Sequence, residues 1–227
     1  MIFAGIQKSS MVDYPGQLAC VLFAPRCNYS CYYCHNRALL DGSWEALDMQ
    51  EILDFLQKRR GMLDAVVVSG GEASLQPDLP DFLRTLKEMG YLTKLDSNGA
   101  SPHIIAKLLL QQLCDYYAVD YKAPAARYRE FCGSAGDAAR VLESIQMLLR
   151  NGVDFEVRTT VTPQLTERDL LRMARELPIL PRWTLNPYRI PDDYPEQEAY
   201  RVCVKPHSAA ELEAFKEALR AIQPNVR

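Results

Sequence analysis

Along the chain, short uninterrupted apolar runs alternate with longer stretches whose apolar positions recur every three to four residues. The first run, 18–24, reads as a strand that stops at Pro25. Over 48–60, Met49, Ile52, Leu53 and Leu56 keep helical spacing behind an Asp48 cap, and Gly61 ends the pattern. The alternation then continues with strands over 65–68, 92–95, 116–119, 155–161 and 183–185, separated by helices over 80–89, 102–113, 137–150 and 167–177. The continuous apolar character of these strands predicts burial on both faces. Strands alternating with helices imply a parallel sheet, and about six such units are too few for the eight of a closed barrel. The expected fold is therefore α/β, a partial (β/α)6 TIM-like barrel whose parallel sheet is open on one side. A doubly wound open sheet is the competing architecture.

Beyond the last strand the periodicity lapses. Residues 187–206 are rich in Pro, Tyr and acidic side chains and read as irregular, a lid or a partner contact. Ser208 then caps a helix over 209–222, with Glu211 completing a capping box and Leu212, Phe215, Leu219 and Ile222 forming an apolar stripe. Residues 1–227 are expected to form one domain, with 187–227 as an irregular segment plus a helix packed on the barrel.

Composition narrows the function classes. The 227 residues are 48% hydrophobic and 24% charged, ordinary for a globular chain with one substantial core. A net charge of -3 gives no overall positive field for nucleic-acid phosphates or anionic lipid. No stretch approaches the roughly 18 apolar residues of a membrane span, and the N-terminus lacks a basic start followed by an apolar run. A cytoplasmic protein with no nucleic-acid or membrane partner is expected. Seven cysteines, three of them between positions 27 and 34, fit a reducing compartment and a metal site better than a disulfide framework.

Those three, Cys27, Cys31 and Cys34, form a C-x3-C-x2-C loop directly after the first strand. Thiolates are the natural ligands of iron-sulfur clusters, and three of them leave one iron of a four-iron cubane open. Structural zinc is the bland alternative, but it needs a fourth ligand, and the chain has only three histidines, His35, His103 and His207. The other four cysteines, Cys20, Cys114, Cys132 and Cys203, are scattered singly and read as small buried hydrophobes.

With Tyr33 before its last cysteine, the loop resembles the signature of the radical S-adenosylmethionine (SAM) superfamily, and Cys34-His35-Asn36-Arg37 is typical of glycyl-radical activating enzymes. The stretches Gly5-Ile6-Gln7-Lys8-Ser9 and Asp13-Tyr14-Pro15-Gly16 resemble the activating protein of anaerobic ribonucleoside-triphosphate reductase. The resemblance runs over about positions 1–190 and departs from the family at Arg26, where glycine is usual, and at Ala73, where proline is usual. It implies a [4Fe-4S] cluster on Cys27, Cys31 and Cys34, with SAM on the open iron.

The same resemblance assigns further residues. Gly70-Gly71-Glu72 resembles the GGE motif, whose backbone and acid bind the SAM amino group. Asp96-Ser97-Asn98-Gly99 is similar to D-T-N-G, whose acid and hydroxyl help hold a monovalent cation near SAM. Asp120 and Lys122 match D-x-K, implying contact of Asp120 with the cation or ribose and of Lys122 with the SAM carboxylate. Arg158 is implied near the ribose, and Arg189 lies in a stretch that closes over adenosine. Tyr33 and His35 are expected to border adenine, with Asn36 reaching the carboxylate. Gly-Gly and Asn-Gly after strands are otherwise ordinary turns, and Asp120 with Lys122 an ordinary ion pair.

By that resemblance a reduced cluster cleaves SAM to methionine and a 5'-deoxyadenosyl radical, which removes a hydrogen from a glycine of a partner enzyme. The expected partner is anaerobic ribonucleotide reductase, and the electron donor a flavodoxin or ferredoxin. Two other functions share the cysteine loop: a radical SAM enzyme modifying a small molecule or peptide, and a non-enzymatic iron-sulfur protein.

Overall fold

The computed structural model describes residues 1–40 and 42–227. Seven strands form one sheet in sequence order: β1 (Gly5–Ser10), β2 (Ala19–Ala24), β3 (Ala65–Gly70), β4 (Leu92–Ser97), β5 (Tyr116–Asp120), β6 (Asp154–Val161) and β7 (Trp183–Pro187). From β2 to β7 every neighbouring pair is parallel, while β1 pairs antiparallel with β2. The sheet does not close, since β1 and β7 stand at its two ends. The parallel units are those the hydrophobic pattern predicts. Strand β1 is an addition, and with Gln7, Lys8 and Ser9 exposed it has no apolar alternation to announce it.

The connecting helices are α1 (Met49–Arg59), α2 (Leu79–Glu88), α3 (Pro102–Leu110), a short α4 (Tyr128–Cys132), α5 (Ala138–Asn151) and α6 (Glu167–Glu176), followed by α7 (Ala199–Val202) and α8 (Ala209–Leu219). Their starts follow from side-chain caps. The Asp48, Asp137, Thr166 and Ser208 side chains accept from the first-turn N–H groups of α1, α5, α6 and α8, and the last two complete capping boxes.

Because strand side chains alternate, each strand has a helix side and a lumen side. Val66, Val68, Leu95, Tyr117, Val119, Phe155 and Val157 join the large core under the helices. On the lumen side a small cluster of Tyr14, Ala19, Val21, Ala65, Val67 and Tyr116 fills one end. Tyr14, from the turn between β1 and β2, packs against Tyr116 with the rings tilted by 47° and their centroids 5.6 Å apart. The other end, where the parallel strands finish, is open and polar.

Residues 225–227 lie along β7, with Leu185 N donating to Arg227 O at 2.8 Å and Arg227 N to Trp183 O at 2.9 Å. Gln223, only 2% exposed, donates through Nε2 to the carbonyls of Ala174 and Pro178 and accepts from Leu180 N at 3.1 Å. Among the described residues no helix is long and apolar enough to cross a membrane.

Candidate active site

The finishing ends of β2 to β6 surround a cavity of about 210 Å³. Such strand ends are where barrel folds gather reacting groups, because the loops that follow are free to vary while the strands stay rigid. The cavity is lined by Cys27, Cys31, Cys34, Tyr33, His35 and Asn36 from the cysteine loop, and by Gly70, Gly71, Asp96, Ser97, Asn98, Asp120, Lys122 and Arg158 from the strand ends. Fourteen of the sixteen residues assigned from the sequence thus meet in one place. Glu72 and Arg189 do not line it.

The cysteine loop leaves β2 through a left-handed residue. Arg26 has φ +67°, a conformation that favours glycine, and it stands where the resemblance leads one to expect glycine. Its amide donates to Leu39 O and its carbonyl accepts from Glu72 N, both at 2.8 Å, which holds the turn against the strain. The side chain is exposed to solvent. Gly71 packs against this turn so closely that a Cβ there would stand 2.0 Å from the Arg26 carbonyl oxygen. Further along, Asn36 Nδ2 donates to Gly70 O at 2.8 Å, and Tyr32 OH donates to Gln164 Oε1 at 2.8 Å. Ser30 N donates to Cys132 O at 3.0 Å. These bonds from Ser30, Tyr32 and Asn36 each reach a distant part of the chain.

Asn36 thereby tethers the loop to β3 with one of its two Nδ2 hydrogens while still lining the cavity. His35 is exposed at the cavity rim, and the buried Tyr33 presents its ring to the cavity wall.

Around the sulfurs the environment is mixed. Tyr29 N donates to Cys27 Sγ at 3.3 Å. Burial pushes the Cys27 thiol up to about 12, against that N–H and the Lys122 charge, and burial likewise raises Cys34. Cys31 is lowered instead, chiefly because the Cys132 thiol hydrogen-bonds to it. Cys132, at the end of α4, carries no sequence signal linking it to the loop; only the fold brings the two sulfurs together. None of the seven cysteines is in a disulfide.

Opposite the sulfurs lies an alternating row of charges on the lumen side of β4, β5 and β6. Lys94 Nζ is 2.8 Å from Asp96 Oδ1, and Arg158 Nη1 is 3.1 Å from Asp96 Oδ2. Arg158 Nε reaches Asp120 Oδ1 at 3.2 Å, and Lys122 Nζ donates to Asp120 Oδ2 at 2.9 Å. Burial raises the Asp120 carboxyl, but Lys122 and Arg158 outweigh it and hold the group down to about 2. Lys122 and Arg158 are raised by their carboxylate neighbours against burial. The cost of burying Arg158 is thus met by two carboxylates of its own chain.

Three assignments are corrected by this geometry. The Glu72 carboxylate is fully buried and turned from the cavity. One of its oxygens accepts from Ser97 Oγ at 2.9 Å and Ser74 N at 3.1 Å, the other from Asn98 N at 2.6 Å. Burial raises its pKa against these bonds. It is a clamp between the β3 and β4 loops rather than a group offered to a ligand. Arg189 lies beyond β7, exposed and away from the cavity. The monovalent cation finds its expected partners engaged elsewhere, Asp96 by Lys94 and Arg158, and Ser97 Oγ by Glu72 and by Gly99 N at 3.0 Å.

Four lining residues were outside the assignment: Tyr29, Leu40, Ser69 and Thr160. The last two follow from strand alternation, since Ser69 continues the lumen side of Ala65 and Val67, and Thr160 that of Glu156 and Arg158.

The Radical SAM superfamily matches residues 21–177, from within β2 to just past α6. The chain belongs to the radical SAM superfamily. It is 33% identical over 205 residues to a Methanocaldococcus jannaschii protein named "Putative glycyl-radical enzyme activating enzyme", over 86% of this chain and 83% of that one. The pyruvate formate-lyase-activating enzyme of Clostridium pasteurianum is 29% identical over 202 residues, 81% of this chain and 80% of it. Within the superfamily the chain groups with the glycyl-radical activating enzymes. Among solved structures, Streptococcus suis SuiB bound to precursor peptide SuiA superposes with a TM-score of 0.66 at 16% identity, over 91% of this chain and 47% of that one. A domain of the Bacteroides vulgatus pyruvate-formate lyase-activating enzyme gives 0.56 at 17% identity, over 72% and 98%. At such identities these two share the fold.

Radical SAM enzymes use a [4Fe-4S] cluster and SAM, and the residues present fit both. Three unbridged thiols face one cavity, and a backbone N–H donates to the Cys27 sulfur. Opposite them the cavity offers hydroxyls, two cationic groups and the bare backbone of Gly70 and Gly71, partners for an amino-acid carboxylate and a ribose.

Proposed function

We propose that this radical SAM enzyme activates a glycyl-radical enzyme, with anaerobic ribonucleoside-triphosphate reductase as the partner and a flavodoxin or ferredoxin as the electron donor. The observation that carries the reading is the single cavity in which Cys27, Cys31 and Cys34 face Asp96, Asp120, Lys122 and Arg158 across the open end of the sheet. The similarity to activating enzymes over most of the chain supports the class of partner. The choice of reductase rests on the likeness of 5–9 and 13–16 to its activating protein. The cluster, when bound, supplies the electron that cleaves SAM to methionine and the 5'-deoxyadenosyl radical.

The chain's own part is to bind and orient. Cys27, Cys31 and Cys34 hold the cluster. Lys122 and Arg158, fixed by Asp120 and Asp96, stay put when SAM arrives, so little reorganisation is needed. Tyr33 and the Gly70-Gly71 backbone form part of the cavity wall. No side chain is asked to move a proton.

The test is to incubate the reconstituted, reduced protein and SAM without oxygen together with the reductase of the same organism. A glycyl radical seen by electron paramagnetic resonance is expected, and it should vanish in Cys31→Ala. Cleavage of SAM with no glycyl radical would reject the reductase as partner. Absence of SAM cleavage would reject the activase reading altogether.

A further inference from the structure

The lumen row contains two charged side chains that the motifs do not include, Glu156 on β6 and Lys94 on β4, and only the second is a cation. Lys94 lies on β4 two residues before Asp96, on the same side of the strand, and its side chain is 2% exposed. A lysine so buried must have its charge met. Its ammonium contacts Asp96 Oδ1 at 2.8 Å, donates to the Asp13 carbonyl in the turn between β1 and β2, and stands 5.8 Å from the Tyr116 ring centre. We propose that Lys94 is a built-in counter-cation, supplying from within the chain the positive charge that a bound monovalent cation would bring to Asp96. SAM binding to this cavity then needs neither potassium nor sodium. The inference rests on the cavity being the SAM site.

Three observations converge on it. First, both Asp96 oxygens lie within ion-pair distance of a cation: Arg158 donates to Oδ2, and the Lys94 ammonium stands 2.8 Å from Oδ1 without the geometry of a hydrogen bond. Second, the other expected cation ligands are committed. Ser97 Oγ donates to Glu72 and accepts from Gly99 N, and Asp120 is shared between Lys122 and Arg158. Third, the row is balanced in charge. Lys94, Arg158 and Lys122 face Asp96, Asp120 and Glu156, the last of which accepts from Thr184 Oγ1 at 3.0 Å beneath Arg158. A further cation would add a fourth positive charge beside Lys94, Arg158 and Lys122.

Lys94 is a positioning residue in this scheme, acting on SAM through Asp96 and Arg158. The experiment compares SAM affinity of the reconstituted holoenzyme, by calorimetry, in potassium, sodium and choline chloride at equal ionic strength. The dissociation constant is expected to change less than about twofold across the three salts. In Lys94→Met, affinity in choline should fall by about tenfold or more and return in potassium or sodium, a selective rescue that a merely structural lysine would not show. A tenfold loss in choline for the unmodified protein overturns the proposal, as does a folded Lys94→Met whose affinity ignores the salt. If Lys94→Met fails to fold, the unmodified protein decides alone. If the unmodified holoenzyme binds no SAM in any salt, the reading of the cavity fails, and this inference with it.

Discussion

The two walls of the cavity are held in opposite ways. The cysteine loop is fixed by bonds from Arg26, Ser30, Tyr32 and Asn36 to groups on other loops and helices, most of them through backbone atoms. The charged wall is fixed by side chains that satisfy one another, from Lys94 through Asp96, Arg158 and Asp120 to Lys122. A wall built from backbone contacts tolerates little change of shape, whereas a self-paired row of charges tolerates change of shape but not of charge. Loading of a metal cluster demands the first property. Binding of a zwitterionic cofactor demands the second.

The sharpest way to break this contrast is Gly71→Ala. The new Cβ would sit 2.0 Å from the Arg26 carbonyl oxygen, a backbone atom that cannot swing aside. The turn into Cys27 must move, so cluster loading should fall by about tenfold and stability by about 1–3 kcal/mol, the usual range for overpacking. Iron and sulfide per chain after reconstitution, with a urea unfolding curve, check both. Loading at the unmodified level would show that the loop is not shape-limited.

Next comes Glu72→Ala, which joins the walls' supports. It leaves Ser97 Oγ, Ser74 N and Asn98 N without their buried acceptor and opens a void, for a loss of about 2–4 kcal/mol. Urea unfolding measures this. A loss below about 0.5 kcal/mol, the scale of a surface substitution, would contradict the clamp role. The smallest effect runs the other way. Arg26→Gly removes a left-handed cost of about 1–2 kcal/mol and adds an entropic cost of about 0.5–1 kcal/mol, so thermal unfolding should shift upward slightly with iron loading unchanged. A lower midpoint would mean that the Arg26 side chain contributes more than its exposed position indicates.

Much of the architecture was legible because the chain changes period between strands and helices, and because parallel strands buried under helices must be apolar on that side. Strand β1 was not, since an edge strand with three exposed polar residues carries no such signal. The lumen side of β4 and β6 was also hidden. Lys94 and Glu156 look like surface positions in an alternating strand, and only the curvature of the sheet turns that side into a charged interior. The site residues were legible where a motif ends a strand. Their individual roles were less so, because motif spacing says which residues arrive at the cavity but not which way Glu72 or Asn36 then points. The contact of Cys132 with Cys31 belongs to the same class, a product of where α4 docks.

Gln223 shows what such docking means for the end of the chain. Its one amide terminates α6 from outside, receiving and giving the hydrogen bonds that the carbonyls of 174 and 178 and the amide of 180 would otherwise lack. Helix α6 runs into β7, and β7 is the neighbour that keeps β6 in register, with Arg158 paired to Thr184. The last residues are therefore not a detachable trailer: cut them away, and the fault line runs by way of one helix end to the guanidinium at the centre of the charged wall.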